Sequence, residues 1–317
     1  MYSKYVDNSK NQDGDYRNIE EIINNILDYE NWRDNEIDTY TGEPLDYSIN
    51  KYFDENKKVT IKESEFEYNY FEYKFDSLMK GQEQNPIFAE RIKTTSGFFV
   101  IYTDGMRTQY LIDKARGSNA LKILRKFNNS DKNKIIEAQA FVFESDFFLW
   151  LVSKFKNDNN IDEVEELVLK SVTGFKGLGN QNQATLTGSG NDVMNLFSTL
   201  SFIIEMESLT EILAQFQHCK NTYEIRFYEN NSQIDINIDN YTGDYVKEEE
   251  TLKKSKVLLH CFIEIIPSVI NSYNNDVDNN DWSNEKKAEF STQILEAVKG
   301  NIEKIEQTIA PKDNGAN

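Results

Sequence analysis

The chain contains 317 residues, of which 38% are apolar and 13% aromatic, so it is long enough to bury a core and too apolar for a disordered protein. Its formal net charge of −19 argues against a general affinity for nucleic acids or anionic membranes. It lacks a run of about 18 apolar residues and an apolar N-terminal signal segment, and its two cysteines are too few for a disulfide framework. We therefore expect a cytoplasmic protein of about two domains.

The charge is distributed unevenly along the chain. Residues 1–90 contain 10 Lys and Arg against 21 Asp and Glu, whereas residues 107–134 contain eight basic and two acidic side chains. A local excess of positive charge on an acidic chain indicates either a confined anion-binding surface or a solvated helix whose basic side chains pair with the surplus acids of the protein. We call these eight basic side chains the basic island: Arg107, Lys114, Arg116, Lys122, Arg125, Lys126, Lys132 and Lys134.

The first half of the chain begins with a predicted helix and a predicted strand. The helix is indicated by apolar residues that recur on one face, at Ile19, Ile22, Ile23, Ile26 and Leu27. Aromatic and polar residues alternate in SEFEYNYFEYKFD (residues 64–76). That alternation predicts a strand with one buried face, which carries Phe66, Tyr68 and Tyr70.

A hairpin, a helix and a strand pair are predicted next. Asp104-Gly105 lies between two β-rich runs and predicts a hairpin over residues 97–113. Residues 118–127 predict a short helix with Ser118 as its N-cap. The aromatic run at residues 138–155 predicts two strands that turn at Glu144-Ser145-Asp146.

Helical spacing dominates the predictions for the second half. Residues 159–172 predict a helix through Val164, Leu167 and Val168, and residues 207–217 predict another that opens with a capping box of Ser208 and Glu211. Alternation around Asn230-Asn231 predicts a hairpin, and two helices at residues 247–272 and 284–309 end the chain. The fold class expected is α+β, with antiparallel hairpins, helices and a helical C-terminal region. The expected domains are residues 1–158 and 159–317.

Five glycines fall between residues 174 and 190, in a segment that resembles a phosphate-binding loop. No P-loop motif is present, and Gly188 and Gly190 supply only two of the three glycines of a dinucleotide fingerprint. Asp192 would repel a phosphate at the start of the following helix but favour the helix dipole. The segment therefore predicts entry into a helix that carries Val193, Leu196, Phe197 and Leu200.

The chain's two histidines and two cysteines form the adjacent pairs His218-Cys219 and His260-Cys261. Two imidazoles and two thiolates would complete a tetrahedral zinc site. Cys219 follows Phe216 by three residues and Cys261 follows Leu258 by three, so both fit the apolar face of a helix. We favour buried core cysteines and no bound metal.

Asp276, Asp278 and Asn280 match the first ligand positions of an EF-hand loop. The glycine that this loop requires is Asp281, and its final glutamate is Lys287. The segment therefore predicts a solvated loop between helices.

The order of elements resembles a known family over residues 90–250. Two hairpins flank the basic helix, FVFESD (residues 141–146) begins a run that precedes an acidic helix, and Asp192-Val193-Met194 follows the glycines. This order resembles the phage-exclusion proteins of the RexA family and, more loosely, the DNA-binding subunit of the Kiwa antiphage system. The resemblance implies a non-enzymatic DNA-binding sensor that forms a homodimer and works with a small membrane protein.

Three functional hypotheses from different classes follow. The first is an antiphage sensor, without a cofactor, that contacts the phosphates of double-stranded DNA through the basic island. The second is an inhibitor whose acidic surface at residues 7–90 imitates DNA and binds a protein. The third is a metal-dependent enzyme that uses the two His-Cys pairs.

Overall fold

The computed structural model describes residues 1–32, 36–128, 135–179, 185–189, 206–229 and 233–309. The chain divides into two compact units, each built from more than one segment. The first unit comprises Met1–Phe141, Ser232–Ile236 and Tyr245–Glu264, and the second comprises Val142–Asn231, Asn237–Asp244 and Ile265–Asn317. The predicted domain boundary after residue 158 stays a prediction.

The described strands and helices confirm the α+β class. The strands are β1 (Ser3–Asp7), β2 (Tyr47–Lys51), β3 (Lys57–Ile61), β4 (Ser64–Leu78), β5 (Ile92–Thr103), β6 (Thr108–Ile112), β7 (Ile136–Gln139), β8 (Asn160–Asp162), β9 (Leu167–Gly179), β10 (Thr185–Ser189), β11 (Met206–His218), β12 (Asn221–Tyr228) and β13 (Ile234–Ile236). The helices are α1 (Ile19–Leu27), α2 (Tyr29–Trp32), α3 (Phe88–Arg91), α4 (Ser118–Asn128), α5 (Ser145–Asn157), α6 (Glu250–His260), α7 (Ile266–Asp278) and α8 (Asn284–Ile309), with a π-helical turn at Cys261–Ile265 between α6 and α7.

The first unit is built on a sheet in the order β2-β4-β5-β6-β1-β7, with β3 paired to β4. The predicted hairpin at Asp104-Gly105 is confirmed, because β5 and β6 pair antiparallel from Phe99↔Ile112 to Thr103↔Thr108. Helices α1 and α4 are also confirmed, and their apolar faces pack on one face of the sheet. α1 begins with a capping box formed by Asn18 and Glu21.

The opposite face of this sheet is also covered, which corrects the half-buried pattern predicted for β4. α6 lies there, since Tyr52 donates a hydrogen bond to Glu249 (3.1 Å) and the Lys254 ammonium lies over the Phe98 ring. As a result, β4 buries Phe71 as completely as Tyr68. A strand that is covered on both faces loses its alternation of apolar and polar residues.

The second unit contains an antiparallel sheet in the order β10-β9-β11-β12, with β8 paired to β9. The helix predicted at residues 159–172 is wrong: the segment forms β8, a turn and the start of β9, and Val164 is 92% exposed. The helix predicted at residues 207–217 is also wrong, because this segment is β11. β11 pairs with β9 on one side and β12 on the other, and it buries Ile212, Ala214 and Phe216 at the period of a strand.

The predicted strand pair at residues 138–155 is wrong in its larger part. β7 ends at Gln139, and the rest of the aromatic run is helix α5, which buries residues on several sides: Phe147, Phe148, Trp150, Leu151 and Val152. A continuous apolar run has no periodicity that separates a buried helix from a buried strand.

The glycine-rich segment is extended where the structure describes it. Gly174, Gly177 and Gly179 lie in β9 and Gly188 lies in β10, so the predicted helix entry is wrong for these residues. Gly190 and the helical positions Val193, Leu196, Phe197 and Leu200 lie outside the described residues.

The two C-terminal helices are confirmed, with a change at their junctions. The first is divided into α6, the π-helical turn and α7, and Pro267 follows the turn. Proline cannot donate to the preceding turn, so a widened turn accommodates it. α7 extends through Asp278, and the Asp276 carboxylate accepts hydrogen bonds from Trp150 Nε1 (2.8 Å) and Lys154 Nζ (3.0 Å), so the loop that was predicted around Asp276 starts after α7.

Candidate anion-binding pocket

A pocket of about 670 Å³ lies in the first unit, between α4 and the ends of β4 and β5. Lysines and uncharged polar residues line its walls, and Phe75 and Ile123 contribute apolar surface. The lysines in the lining are Lys93, Lys114, Lys122 and Lys126, and the uncharged polar residues are Ser77, Thr94, Thr95, Ser96 and Asn119. No carboxylate is among these lining residues, so the walls present positive charge.

Helix α4 supplies one wall because its opposite side is anchored in the core. Ala120, Leu124 and Phe127 are fully buried against the sheet. Lys122 and Lys126 are four residues apart and therefore share a face of the helix, which is turned to the pocket. The apolar spacing of α4 thus fixes the direction of both ammonium groups.

The sheet supplies the other wall through the register of β4 and β5. Ser77 pairs with Lys93, and Phe75 pairs with Thr95. Residues that pair across antiparallel strands point to the same face, and Phe75 packs against the core beneath α4. Lys93 and Thr95 therefore project from the sheet towards α4.

Two of the four lysines have carboxylate partners outside the lining. Lys126 Nζ lies 2.9 Å from Glu36 Oε1 and 5.1 Å from the centre of the Phe75 ring. Partial burial lowers the pKa of Lys126, but its hydrogen bond to Glu36 and the charge of that carboxylate raise the pKa above its ordinary value overall. Lys126 is therefore protonated at neutral pH.

Lys114 is positioned by the turn that follows β6. Its Nζ donates to the Ser96 carbonyl (3.0 Å) and lies 3.4 Å from a carboxylate oxygen of Asp113, which in turn accepts a hydrogen bond from Tyr73 (3.2 Å). Gly97 makes this arrangement possible, since a Cβ at that position would collide with both Asp113 and Tyr73. Lys114 is thus held at the pocket wall.

Lys93 and Lys122 differ from the other two lysines. Both side chains are exposed, and neither has an ion pair or side-chain hydrogen bond within the described part of the chain. An ammonium group that has no carboxylate partner is available to an anion from solution. These two groups give the pocket its uncompensated positive charge.

The fold brings together three members of the basic island and leaves the others apart. Lys114, Lys122 and Lys126 line the pocket. Arg107 lies at the opposite end of β6, a strand that spans roughly 17 Å, where it donates to Asn8 (3.1 Å) and Tyr16 (2.6 Å).

The remaining arginines of the island lie outside this pocket. Arg116 is exposed in the turn before α4, and the neighbouring Gly117 amide donates to the Tyr5 hydroxyl (3.4 Å). Arg125 is half-buried, and its Nε has no hydrogen-bond partner in the part of the structure that is described. Lys132 and Lys134 lie outside the described residues.

Lys93 and the hydroxyl residues were missed by the sequence analysis. The available signal was the run Lys93-Thr94-Thr95-Ser96 near the start of a strand. A cation beside three hydroxyls is a local phosphate-binding composition. Only the pairing of β5 with β4 brings Lys93 and Thr95 of this run opposite α4.

The two His-Cys pairs belong to different compact units. Cys219 is exposed and has a positive φ of 51° in the turn between β11 and β12, so the prediction of a buried cysteine on a helix is wrong for it. Cys261 is buried as predicted, and burial raises the pKa of its thiol well above the ordinary value. A protonated thiol is a poor metal ligand. His260 is hydrogen-bonded to Tyr245 (2.8 Å) and Glu264 (3.1 Å).

Comparison with known proteins does not assign the chain to a family. No protein-family model matches it, and no curated protein matches it significantly. Among the described residues, no helix combines the length and apolar content needed to cross a bilayer.

Proposed function

We propose that the first unit binds phosphate groups of double-stranded DNA through the lysines of the pocket. The chain would act in the cytoplasm as a non-enzymatic sensor of an antiphage, phage-exclusion system. DNA binding would change the interface of a homodimer or its interface with a partner, and a small membrane protein would carry out the response. The assignment to phage exclusion rests on the sequence resemblance, and the DNA contact rests on the pocket.

The observation that carries the DNA contact is the arrangement of the four pocket lysines. Lys114, Lys122 and Lys126 from the basic island meet Lys93 around one cavity without a carboxylate in its lining. Lysine binds phosphate as a point charge and without preference for base sequence. The contact should therefore be sequence-independent and sensitive to salt.

Support for the proposed homodimer comes from the second unit. The C-terminal part of α8 carries apolar residues at alternating spacings of three and four: Leu295, Val298, Ile302 and Ile305. Leu295, Ile302 and Ile305 are 42%, 41% and 50% exposed. This is the spacing of a coiled coil. Lys299 and Glu306 flank the stripe and would face each other between two antiparallel copies, which favours a second copy of the chain as the partner.

The experiment is the binding of a labelled DNA duplex by the full chain across a series of salt concentrations. The test variant is Lys93→Gln with Lys122→Gln. The matched control is Lys170→Gln with Lys220→Gln, which changes the net charge equally at exposed lysines of the second unit. Thermal unfolding of each variant checks that the fold is retained.

Wild-type affinity should fall steeply with salt. Each phosphate contact contributes about 0.9 to the slope of log K against log salt concentration. The slope of the test variant should therefore be smaller by about 1.8, and the control slope should equal that of the wild type. Absence of binding at low salt would overturn the proposal and favour the acidic surface as a protein-binding DNA mimic.

A further inference from the structure

We propose that this pocket binds a terminal phosphate monoester, such as the phosphorylated end of a DNA strand, in preference to the phosphodiesters along a duplex. This inference rests on the proposed function and specifies the part of the nucleic acid that is bound. It follows from the charge, the size and the surroundings of the pocket.

The unpaired charge of the pocket matches the charge of a phosphate monoester. A phosphate monoester carries about −1.5 to −2 charges at neutral pH and has three strong acceptor oxygens, whereas each backbone phosphodiester carries one charge. Lys93 from the sheet and Lys122 from α4 provide two ammonium groups without carboxylate partners in the described structure. Two unpaired cations on opposite walls match a dianion between them.

Hydrogen-bond donors complete this match. The Thr95 hydroxyl lines the pocket on the same face as Lys93, and no described residue is hydrogen-bonded to it. By contrast, the Thr94 hydroxyl already donates to Asp76 (2.6 Å), and the Ser77 hydroxyl donates to the Lys93 carbonyl (3.2 Å). Ser96 alternates to the opposite face of β5. Thr95 is therefore the hydroxyl on the face of Lys93 that is available to a third phosphate oxygen.

The size of the pocket also favours a strand end. A cavity of about 670 Å³ falls within the range of roughly 300–1,000 Å³ that is typical of small-ligand pockets. Such a volume accepts a phosphate together with its attached nucleoside. The apolar surface of Phe75 and Ile123 would contact the sugar or base of that nucleotide. A strand end can place one nucleotide inside such a pocket, whereas the phosphates along the side of a duplex would stay at its rim.

The negative charge of the rest of the chain disfavours contact along a duplex. Duplex DNA carries one negative charge per roughly 1.7 Å, so a segment of about 20 Å brings about 12 charges to the protein surface. The chain has a net charge of −19, and its first 90 residues contain 21 acidic against 10 basic side chains. Two unpaired lysines offset only a small part of that repulsion along a duplex. A strand end brings its dianion into the pocket while the rest of the duplex extends into solvent.

The experiment compares four probes with the full chain at fixed salt. Three are forms of one DNA sequence: a blunt linear duplex with 5′-terminal phosphates, the same duplex with hydroxyl ends, and a relaxed closed circle without ends. The fourth is the deoxynucleoside 5′-monophosphate that corresponds to the strand end. Each probe is tested with the wild type, with Lys93→Gln/Lys122→Gln and with the control Lys170→Gln/Lys220→Gln.

The expected result is that the phosphorylated duplex binds at least about tenfold more tightly than the hydroxyl duplex, and that the closed circle does not displace it. The Lys93→Gln/Lys122→Gln variant should lose this preference and the control should keep it. Equal binding of all three DNA forms would overturn the inference and leave the proposed function standing. Binding of the monophosphate without binding of any DNA would support the monoester site and overturn the proposed function. No binding of any probe would overturn both.

Discussion

Glu36 competes with an incoming phosphate for the Lys126 ammonium, so its removal should strengthen phosphate binding. The Glu36 carboxylate lies 2.9 Å from Lys126 Nζ and is about half exposed. A phosphate oxygen bound to the same ammonium would be about 2.8 Å from it. The two negative groups would therefore be held roughly 6 Å apart, and Glu36→Gln would remove their repulsion.

The size of the effect follows from Coulomb's law. Two unit charges about 6 Å apart repel by about 0.7 kcal/mol in water and by about 2.8 kcal/mol at an effective dielectric constant of about 20. Physiological salt, with a screening length of about 8 Å, roughly halves both values. For one phosphate charge the expected gain is about 0.4 to 1.4 kcal/mol, which corresponds to a twofold to tenfold tighter complex. The charge of a monoester, about −1.5 to −2, should increase this gain.

The assay is a titration of labelled duplex DNA with 5′-terminal phosphates at neutral pH. Glu163→Gln is the matched control, because it removes one exposed carboxylate from the second unit and changes the net charge equally. Loss of the partly exposed Lys126–Glu36 pair should cost at most about 1 kcal/mol of stability, so both variants should fold. The reasoning is refuted if Glu36→Gln binds no more tightly than Glu163→Gln.

Three further predictions concern the fold and its assembly. Hydrogen bonds from Arg91 hold the pKa of Asp38 at about 2, below its ordinary value of 3.8. The ionised carboxylate therefore stabilises the fold above pH 3.8, and this contribution is lost as the pH falls from 3.8 to about 2. Asp38→Asn should reduce the acid dependence of the denaturation midpoint, and an unchanged dependence would contradict this. Ile302→Glu with Ile305→Glu should convert a dimer into a monomer, as measured by light scattering. The control Glu303→Gln should leave the molar mass of the dimer unchanged. A dimer that survives the double substitution would exclude the α8 interface. Leu124→Ala should lower the free energy of unfolding by about 3 kcal/mol, because Leu124 lies on the face of α4 that is fully buried against the sheet. A loss below about 1 kcal/mol in denaturant titration would contradict this.

The sequence was sufficient where the signal was local. The isoleucine spacing of α1, the Asp104-Gly105 turn and the helices of the C-terminal region were all predicted, and the structure contains them. In each case a turn residue or one apolar face determines the element, with little help from distant parts of the chain.

Strand pairing, and not local preference, determined the secondary structure of the sheet in the second unit. β9 contains three glycines, and β11 carries apolar residues at helical spacing, so neither segment favours a strand by itself. Pairing of β11 with both β9 and β12 satisfies its backbone hydrogen bonds and buries its alternate side chains. Tertiary pairing of this kind overrides weak local preferences.

The candidate site likewise combines features that the sequence determines locally with features that only the tertiary structure sets. The sequence alone determined the charge excess of residues 107–134 and placed Lys122 and Lys126 on one face of α4, because helical periodicity is a local property. The tertiary structure decided that Arg107 lies at the far end of β6 and that Lys93 and Thr95 face α4. Strand register sets which distant residues become neighbours, and it depends on pairing across the whole sheet. Only that pairing turned a stretch of basic residues into a pocket.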